Sequence, residues 1–188
     1  DNSISGLEFL ACIPGTIGGA VIMNSGCYGS DMSKILESVK VIDKNGDIKD
    51  IKKDKINFFY RGTNLSKEYV ILSAILKGQV SKKSNIEKVQ SELIERKKQS
   101  QPSRIKTGGS TFKNFDGQKA WKLIKQSGCD KFSVGDAKIS EKHCNFLVNN
   151  GQAKSRDLEN LIIKIKKKVQ AVTGVSLELE IKIIGEQN

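Results

Sequence analysis

The sequence predicts an α+β fold, and three stretches carry this prediction. Residues 38–51 alternate apolar and polar side chains on both sides of Asn45-Gly46, a dipeptide typical of hairpin turns because both residues tolerate positive φ. The apolar run at 69–77 suits a buried strand. From Ser155 onwards, apolar residues recur at the spacing of one helix face.

The elements before this last helix fall into two parts. A stretch rich in glycine and small residues at 6–29 predicts a short helix or turn, a glycine loop and a tight segment. With the hairpin and the strand, it is expected to form a first domain over residues 1–85. A second domain is expected over residues 86–188. Its first helix has an apolar face formed by Ile86, Val89, Leu93 and Ile94.

Within the second domain, the polar segment 99–110 predicts a connection, and a short helix is expected around Trp121 and Ile124. The long helix has Ser155 as its expected N-cap and Gly174 as its C-terminal stop. Its predicted apolar face consists of Leu158, Leu161, Ile162, Ile165, Val169 and Val172. A final predicted strand has its apolar face at Leu177, Leu179, Ile181 and Ile183.

The formal net charge of +11 admits a basic nucleic-acid-binding module as one interpretation. Most of the basic residues are lysines spread along predicted helices and turns, and aromatic residues make up only 6% of the chain. No stretch interleaves basic and aromatic side chains, as a single-strand binder requires. The composition therefore favours a solvated lysine-rich surface with a bias toward anionic small molecules, and nucleic acid is not an expected partner.

Cysteine and histidine are too sparse for an expected metal site. The four cysteines contain no C-x-x-C pair, and His143 is the single histidine. Small or apolar neighbours predict buried free thiols in a reducing cytosol, at Cys12, Cys27, Cys129 and Cys144. No apolar run reaches the roughly 20 residues of a membrane span. Because the sequence starts at Asp1 without Met or a signal-like segment, we expect it to begin within a longer protein.

Two motifs of the first domain have structural and chemical interpretations. Glycines in the stretch 13–20 let backbone N–H groups approach a phosphate or a ring edge, although the stretch is neither a G-x-G-x-x-G fingerprint nor a P-loop. A tight turn explains this stretch equally well. Arg61 precedes Gly62 and has the planar fork that binds carboxylates or phosphates, but the motif alone favours a surface arginine.

Two further motifs lie in the second domain. Gly108-Gly109-Ser110 predicts a polar turn that exposes a hydroxyl. A serine hydrolase is not expected, because there is no G-x-S-x-G elbow and His143 is the one available base. Glu180 lies on the predicted last strand, where pairing with Lys182 on a solvated face is the default interpretation.

In their order along the chain, these motifs resemble those of the UDP-N-acetylenolpyruvoylglucosamine reductase (MurB) family. The segment 6–29 resembles the flavin-binding signature of that family, and FFYRGT at 58–63 resembles its Tyr-Arg element. GGSTFKN at 108–114, SEKHCNFLVNNGQA at 140–153 and LELEIKIIGE at 177–186 resemble its later elements. The similarity covers essentially the whole chain. It implies the C-terminal part of an FAD-binding α+β module, without the N-terminal lobe, followed by a smaller α+β substrate-binding domain.

The family binds FAD noncovalently and uses NADPH to reduce the enolpyruvyl ether of UDP-N-acetylglucosamine to UDP-N-acetylmuramate. The resemblance implies these cofactors, a UDP-sugar substrate and a cytoplasmic role in bacterial peptidoglycan synthesis, and thus in cell wall biogenesis, cell shape and cell division. It implies catalytic roles for Arg61, Ser110 and Glu180. Flavin contacts are implied for Ile13, Pro14, Gly15, Thr16, Gly18, Gly19, Asn24 and Gly26. Substrate contacts are implied for Tyr60, Lys113 and Asn114.

The chemistry of the three side chains agrees with these roles. A hydride that reaches the β-carbon leaves negative charge on the α-carbon and its carboxylate, which a fixed guanidinium at Arg61 can stabilise. The α-carbon then takes a proton, and the hydroxyl of Ser110 suffices as donor because a carbanion-like centre is a strong base. Glu180 can polarise the enolate in its protonated form.

The spacing also favours one subtype of the family. Arg61 and Ser110 lie 49 positions apart, which leaves little room for the substrate-covering insertion of the larger subtype, so the compact subtype matches better. Another oxidase or dehydrogenase of the same flavin fold is the alternative enzyme. Such enzymes often hold flavin covalently through His or Cys, and His143 lies far along the chain from the glycine loop. The basic nucleic-acid-binding module is the alternative outside the enzymes.

Overall fold

A computed structural model describes residues 2–103, 105–115 and 117–185. The chain divides into two compact units, Asp1–Lys97 and Lys98–Asn188, and each has its own buried core. The predicted α+β class is confirmed, since both units combine helices with antiparallel strands. Among the described helices, none combines the length and the apolar character that crossing a membrane requires.

The first unit is built around a three-stranded antiparallel sheet. Its strands are β1 (Ile4–Ser5), β2 (Gly26–Cys27), β3 (Ser30–Asp31), β4 (Leu36–Ile42), β5 (Ile48–Lys52), β6 (Phe58–Phe59), β7 (Gly62–Thr63), β8 (Val70–Leu76) and β9 (Gln79–Val80). Its helices are α1 (Ile17–Ile22), α2 (Met32–Ile35) and α3 (Lys83–Ser100), with 3-10 helices at Glu8–Cys12 and Lys53–Lys55. The central sheet has the order β5-β4-β8, and the remaining short strands form the separate pairs β1-β9, β2-β3 and β6-β7.

The predicted hairpin is confirmed as β4–β5, but its turn differs from the expectation. Gly46 takes φ +88°, whereas Asn45 does not enter the positive-φ region. The Asp43 carboxylate accepts the backbone N–H groups of Asn45 at 2.9 Å and Asp47 at 3.0 Å. This aspartate supplies the acceptors that a longer turn needs, so only one residue has to be left-handed.

Two predictions about burial in the first unit are wrong. A strand forms within 69–77 as expected, but Val70 and Ile75 of β8 are 62% and 63% exposed. Among the described residues β8 pairs with β4 alone, so it is an edge strand, and alternate residues such as Ile71 face the core. Helix α3 also forms where predicted, yet none of its described residues is fully buried, and Leu93 alone of its predicted face packs against this core.

The second unit has one antiparallel sheet with two helices packed on it. Its strands are β10 (Thr107–Ser110), β11 (Ser133–Val134), β12 (Ala137–Ile139) and β13 (Phe146–Asn149), in the order β10-β13-β12-β11. Its helices are α4 (Ala120–Gln126) and α5 (Ser155–Thr173). Leu161, Ile165 and Val169 of α5 have no exposed surface and join the core formed with the sheet. The amphipathic pattern of α5 therefore predicts its packing correctly over these positions.

Both ends of α5 differ slightly from the prediction. The helix begins at Ser155, but the N-cap position is Lys154, whose backbone N–H donates to the Asp157 carboxylate at 2.9 Å. Gly174 is confirmed as the C-terminal stop, with φ +74°. Val172 is 49% exposed although the spacing put it on the apolar face, because it lies in the last turn of the helix.

The predicted last strand is wrong as a regular element. Leu177 is buried, and Leu179 forms an isolated antiparallel bridge with Phe112. Further along, Ile183 is 52% exposed, so the alternation seen in the sequence does not continue as a buried face. The segment is nevertheless tied to the sheet by single backbone hydrogen bonds, which matter for the candidate site.

The boundary between the units falls near the end of α3, whereas the boundary expected from sequence, between residues 85 and 86, falls near its start. Assignment of the two domains to flavin and to substrate binding stays a prediction.

Candidate functional site

The first candidate region is a cleft of about 330 Å³ in the first unit. It is lined by Leu10, Ile13, Pro14, Gly15, Thr16, Ile17, Gly19, Ala20, Met23 and Ser25. Five of the eight residues with implied flavin contacts are in this lining, and Gly18, Asn24 and Gly26 are not. The cleft lies around the 3-10 helix that precedes the glycine loop and the helix α1 that follows it.

The loop at the mouth of this cleft has a shape that its residue types dictate. Gly15 takes φ +129°, a conformation that L side chains rarely adopt, and this lets the chain turn from Pro14 into α1. Thr16 is the N-cap of α1, and its hydroxyl accepts the N–H of Gly19 at 3.1 Å. The result is an apolar cleft with glycine backbone in its wall, which suits one face of a planar ring.

Gly18 and Gly26 differ in how much space surrounds them. A Cβ at Gly18 would lie 3.4 Å from the Cβ of Ile71, which is an ordinary van der Waals contact, so the packing of α1 against β8 does not require glycine there. A Cβ at Gly26 would lie 2.4 Å from the carbonyl oxygen of Ser30, so the pairing of β2 with β3 requires glycine there. Their roles toward a flavin stay predictions.

Asn24 joins the end of the glycine-rich segment to the β6–β7 hairpin. It is 8% exposed and takes φ +40°. Its side-chain amide donates to the carbonyl of Phe59 at 3.2 Å, and its amide oxygen accepts the N–H of Ser33 at 3.0 Å. In addition, the Thr63 hydroxyl donates to the carbonyl of Ile22 at 3.3 Å. Both strands of the hairpin are therefore anchored, β7 to the last residue of α1 and β6 to Asn24 just after it.

Arg61 lies in the two-residue turn of this anchored hairpin. It takes φ +59°, a left-handed conformation that costs a non-glycine residue about 1–2 kcal/mol. The carbon at the centre of its guanidinium lies 4.8 Å from the centroid of the Tyr60 ring. A Cβ at the next residue, Gly62, would lie 2.1 Å from the Phe59 ring, so this ring, on a residue that is 55% exposed, would have to turn aside. The hydrogen bonds at the base of the hairpin hold the strained turn in place. No pattern in the sequence indicates this left-handed turn at Arg61.

Two thiols, of Cys12 and Cys27, lie on either side of the glycine stretch 13–20. The Cys27 thiol donates to the carbonyl of Phe9 at 3.4 Å. Burial raises the pKa of Cys27 to about 11, the neighbouring Cys12 adds to this, and the charges of Lys97 and Arg61 oppose it. The thiol is therefore protonated near neutral pH and is not an activated nucleophile.

The prediction of free cysteines is confirmed for all four, although two of them are only partly buried. Burial also raises the pKa of Cys129 and of Cys144. Within the described ranges, no group of three or more side chains is arranged to hold a metal ion.

The second candidate region surrounds Ser110, where the predicted polar turn is wrong. Thr107–Ser110 forms strand β10, which pairs with β13. The register shifts between Thr107 and Ser110, and Gly109 takes φ +88° at this irregularity. The glycine pair that suggested a turn thus forms a bulge in a strand, because the apolar strand Phe146–Asn149 offers a pairing partner distant in sequence.

The structure brings the segments of Ser110 and Glu180 together. Thr111, which follows Ser110, accepts the backbone N–H of Glu180 at 2.9 Å. The N–H of Lys113 donates to the carbonyl of Glu178 at 2.8 Å, so the two segments lie antiparallel. Both Ser110 and Glu180 are half-buried. Arg61 belongs to the first unit, so the three residues with implied catalytic roles are divided between the units.

Lys113 and Asn114 have other partners in the structure. The Lys113 ammonium lies 3.4 Å from the Glu178 carboxylate. The Asn114 side-chain oxygen accepts the N–H of Ala120, the first residue of α4, at 3.1 Å. Their roles toward a substrate, like that of Tyr60, stay predictions.

Asn145 is a residue of this region that sequence reasoning did not single out. It is 4% exposed, and its side-chain amide bonds both backbone groups of Phe112. His143 accepts the N–H of Asn145 at 3.2 Å, and burial lowers the pKa of this histidine. Asn145 lies inside the segment 140–153 that carried part of the resemblance, but an asparagine in a polar turn gives no pattern that reveals such contacts.

Two different protein families match the two units of the chain. The FAD binding domain family matches residues 1–52, and the family described as UDP-N-acetylenolpyruvoylglucosamine reductase, C-terminal domain, matches residues 101–184. UDP-N-acetylenolpyruvoylglucosamine reductases of Pelagibacter ubique and Gluconobacter oxydans are 47% and 45% identical to the chain over 98% of its length. The chain spans 62% and 60% of those two relatives, about three fifths of their length.

A solved structure gives the same result. The crystal structure of the UDP-N-acetylenolpyruvylglucosamine reductase from Thermus caldophilus is 36% identical and matches with a TM-score of 0.85, over 96% of this chain and 64% of that one. These matches do not favour the alternative flavoprotein or the nucleic-acid-binding module. The chain belongs to the UDP-N-acetylenolpyruvoylglucosamine reductase family.

Proposed function

We propose that the protein, at its natural length, reduces UDP-N-acetylenolpyruvoylglucosamine to UDP-N-acetylmuramate with FAD and NADPH, in the cytoplasm of a bacterium during peptidoglycan synthesis. Relatives named for this reductase activity are 42–47% identical over nearly the whole chain, which supports the same reaction here. Catalytic roles are proposed for Arg61, Ser110 and Glu180.

The observation that carries the proposal is the pairing of the Ser110 segment with the Glu180 segment. Thr111 lies between them, and its carbonyl accepts the N–H of Glu180. The backbones that carry the Ser110 hydroxyl and the Glu180 carboxyl are thus adjacent, and both residues are half-buried, which supports a joint role in protonation of a carbanion-like centre. If residues 108–110 formed only a polar surface turn, they would not need to pair with the distant segment around Glu180.

The glycine-rich cleft fits the cofactor that the proposal requires. Its apolar lining and its glycine wall suit the flavin ring of FAD, and residues 13–19 would hold that ring. Bound FAD supplies the hydride that reaches the β-carbon of the substrate. The cleft volume of about 330 Å³ accommodates a ring system and not a whole dinucleotide, so further contacts to FAD are expected from elsewhere in the natural-length protein.

Each of the three side chains then has a distinct task. The Arg61 guanidinium binds the substrate carboxylate and stabilises the negative charge that develops on it. Ser110 donates the proton that the α-carbon takes up. Glu180, when protonated, donates a hydrogen bond to the enolate oxygen. Tyr60 stacks on Arg61 and limits the directions that its guanidinium can take.

The positive net charge of the chain suits substrates that carry phosphate groups. The net charge of +11 raises the local concentration of anions, and both NADPH and a UDP-sugar carry phosphates. Lys113 and Asn114 are proposed to contact the substrate close to Ser110, with Lys113 released from its surface ion pair with Glu178. Such an exposed pair is worth little, so this release is inexpensive.

The test uses the protein at its natural length, purified with its flavin. NADPH should bleach the flavin absorbance, and UDP-N-acetylenolpyruvoylglucosamine should restore it while a product two hydrogen atoms heavier accumulates, as mass spectrometry would detect. Reoxidation by oxygen but not by this substrate would contradict the proposal and point to the alternative oxidase. A purified protein without flavin that binds oligonucleotides would point to the nucleic-acid module.

A further inference from the structure

The side chain of Asn145 extends a sheet beyond the point where its strands separate. Strand β10 ends at Ser110 opposite Phe146, the first residue of β13. One residue before β13, the amide group of Asn145 donates to the carbonyl of Phe112 at 2.7 Å and accepts the N–H of Phe112 at 2.9 Å. Both bonds are buried. The amide thus replaces the backbone partner that a further strand residue would have supplied.

These bonds connect Asn145 to both candidate catalytic segments of the second unit. The N–H of Thr111 donates to the backbone carbonyl of Asn145 at 2.8 Å, and the carbonyl of Thr111 accepts the N–H of Glu180 at 2.9 Å. Thr111 itself is 2% exposed. A buried backbone group without a partner is costly, so this network resists displacement of the segment that follows Ser110.

We propose that Asn145 is a positioning residue of the reductase, which fixes the backbones of Ser110 and Glu180 relative to each other. The inference rests on the proposed function, because it concerns the proton donor of that reaction. A serine hydroxyl has a short side chain, so its reach toward a substrate atom follows the backbone directly. A displacement of about 1 Å is enough to slow a reaction by about 10²-fold.

The chain contains a matched control in Asn149, at the other end of β13. Its amide donates to the carbonyl of Ala153 at 2.9 Å, and its oxygen accepts the N–H of Gly151 at 2.9 Å. These bonds also join a side-chain amide to backbone groups, but they are less buried than those of Asn145, and they hold the turn before α5 and not the Ser110 segment. Substitutions at Asn149 therefore report the general cost of losing a structural amide.

The experiment compares Asn145→Ala and Asn145→Asp with Asn149→Ala and Asn149→Asp in the natural-length protein with its flavin. We expect both Asn145 variants to slow flavin reoxidation by the substrate about 10²-fold at about pH 8, with flavin bleaching by NADPH unchanged. The Asn149 variants should keep both rates within about two-fold of the wild type.

The Asn145→Asp variant adds a pH test of the donated hydrogen bond. Its carboxyl can accept the N–H of Phe112 in either form, but it can donate to the carbonyl of Phe112 only when protonated. Burial and that carbonyl raise the pKa of the introduced carboxyl. The reoxidation rate of Asn145→Asp divided by that of Asn145→Ala should therefore rise between about pH 8 and about pH 6. A constant ratio would assign the effect to packing alone and overturn the proposal.

Other titratable groups face this network in every variant. They are His143, whose ring accepts the N–H of Asn145, and Glu180, Lys113 and Glu178 on the paired segments. Because the ratio compares two variants that share these groups, it removes the part of their titration that the introduced carboxyl leaves unchanged.

Amide hydrogen exchange gives a readout that needs no cofactor. The N–H groups of Thr111 and Phe112 should exchange at least about ten-fold faster in Asn145→Ala than in Asn149→Ala, because each then has a weakened or missing partner. Equal exchange and equal reoxidation in the two series would overturn the inference. A wild type that bleaches with NADPH but does not react with the substrate would overturn the proposed function instead, while the exchange data would still decide the role of Asn145 in holding the segment.

Discussion

The two units hold their candidate catalytic residues by different means. In the first unit, Arg61 lies in a strained two-residue turn, and hydrogen bonds at the base of the hairpin secure it. In the second unit, Ser110 and Glu180 lie on half-buried segments that a ladder of backbone hydrogen bonds joins. For Arg61 and Ser110 the difference follows from side-chain length. An arginine has a long reach and needs a fixed direction, whereas the position of a serine hydroxyl depends on its backbone.

A buried asparagine performs the decisive contact in each unit. Asn24 bonds the carbonyl of Phe59 at the base of the Arg61 hairpin, and Asn145 bonds both backbone groups of Phe112 beyond Ser110. A side-chain amide has a donor and an acceptor, so it can stand in for a peptide group where no strand is available. The comparison suggests that changes at the reacting residues should affect chemistry, and that changes at their supports should affect stability or orientation.

The largest expected effect is that of Ser110→Ala on the second half of the reaction. General-acid loss typically slows a step by about 10²–10⁴-fold, so flavin reoxidation by the substrate should slow by this amount while bleaching by NADPH stays nearly intact. Stopped-flow absorbance measures both steps. Ser110→Cys should recover part of the rate, since a thiol is more acidic than a hydroxyl. Reoxidation of the alanine variant at the wild-type rate would make Ser110 a strand residue without a chemical role.

Arg61→Lys should have the next largest effect, although it keeps the charge. Lysine lacks the planar fork that fits a carboxylate, and loss of one charge-stabilising donor typically slows turnover by about 10²-fold. Steady-state turnover at saturating substrate measures this. Arg96→Lys is the matched control, because the Arg96 guanidinium also lies 4.8 Å from a tyrosine ring centroid, that of Tyr28. Equal, small losses in both variants would indicate that Arg61 is a structural stacking residue.

The sequence predicts the helices and strands of this molecule better than it predicts the tertiary hydrogen bonds that hold the candidate residues. The apolar spacing of α5 gives its buried residues because a long helix is a local pattern. Ser110 was expected in a turn, because its pairing with β13 depends on a strand far along the chain. The left-handed turn at Arg61 and the contacts of Asn24 and Asn145 depend on tertiary neighbours in the same way. The proposed roles of Arg61, Ser110 and Glu180 rest on a family resemblance that the motifs carry together, in their order along the chain. No single motif indicates these roles.

Substitution of Asn24 separates the two contributions of this support, hydrogen bonding and backbone strain. Asn24→Ala removes both side-chain hydrogen bonds and should lower the free energy of unfolding by about 2 kcal/mol. Asn24→Gly removes the same bonds but tolerates φ +40°, so it should be more stable than the alanine variant by about 1 kcal/mol. Denaturant unfolding of the natural-length protein measures both. Equal stability of the two variants would show that the left-handed backbone at this position carries no strain.

The smallest expected effect concerns pH and again contrasts the two units. The pKa of Cys27 is raised to about 11 in the folded protein, so the folded state keeps a proton that the unfolded chain loses near pH 8.5. The stability that this provides is complete below the unfolded pKa and is lost as pH rises toward 11. Because the thiol is only partly buried, the loss should be about 1 kcal/mol or less after allowance for solvent screening.

Cys27→Ser keeps a donor for the carbonyl of Phe9 but does not titrate, so its stability should fall less steeply over this range. Cys12→Ala should have an intermediate slope, since Cys12 helps to raise the pKa of Cys27. Cys144→Ser in the second unit should change the slope least, because burial raises that pKa without a neighbouring thiol among its causes. Denaturant unfolding at several alkaline pH values measures these slopes, and identical slopes in wild type and Cys27→Ser would show that the Cys27 thiol does not contribute to the pH dependence of stability.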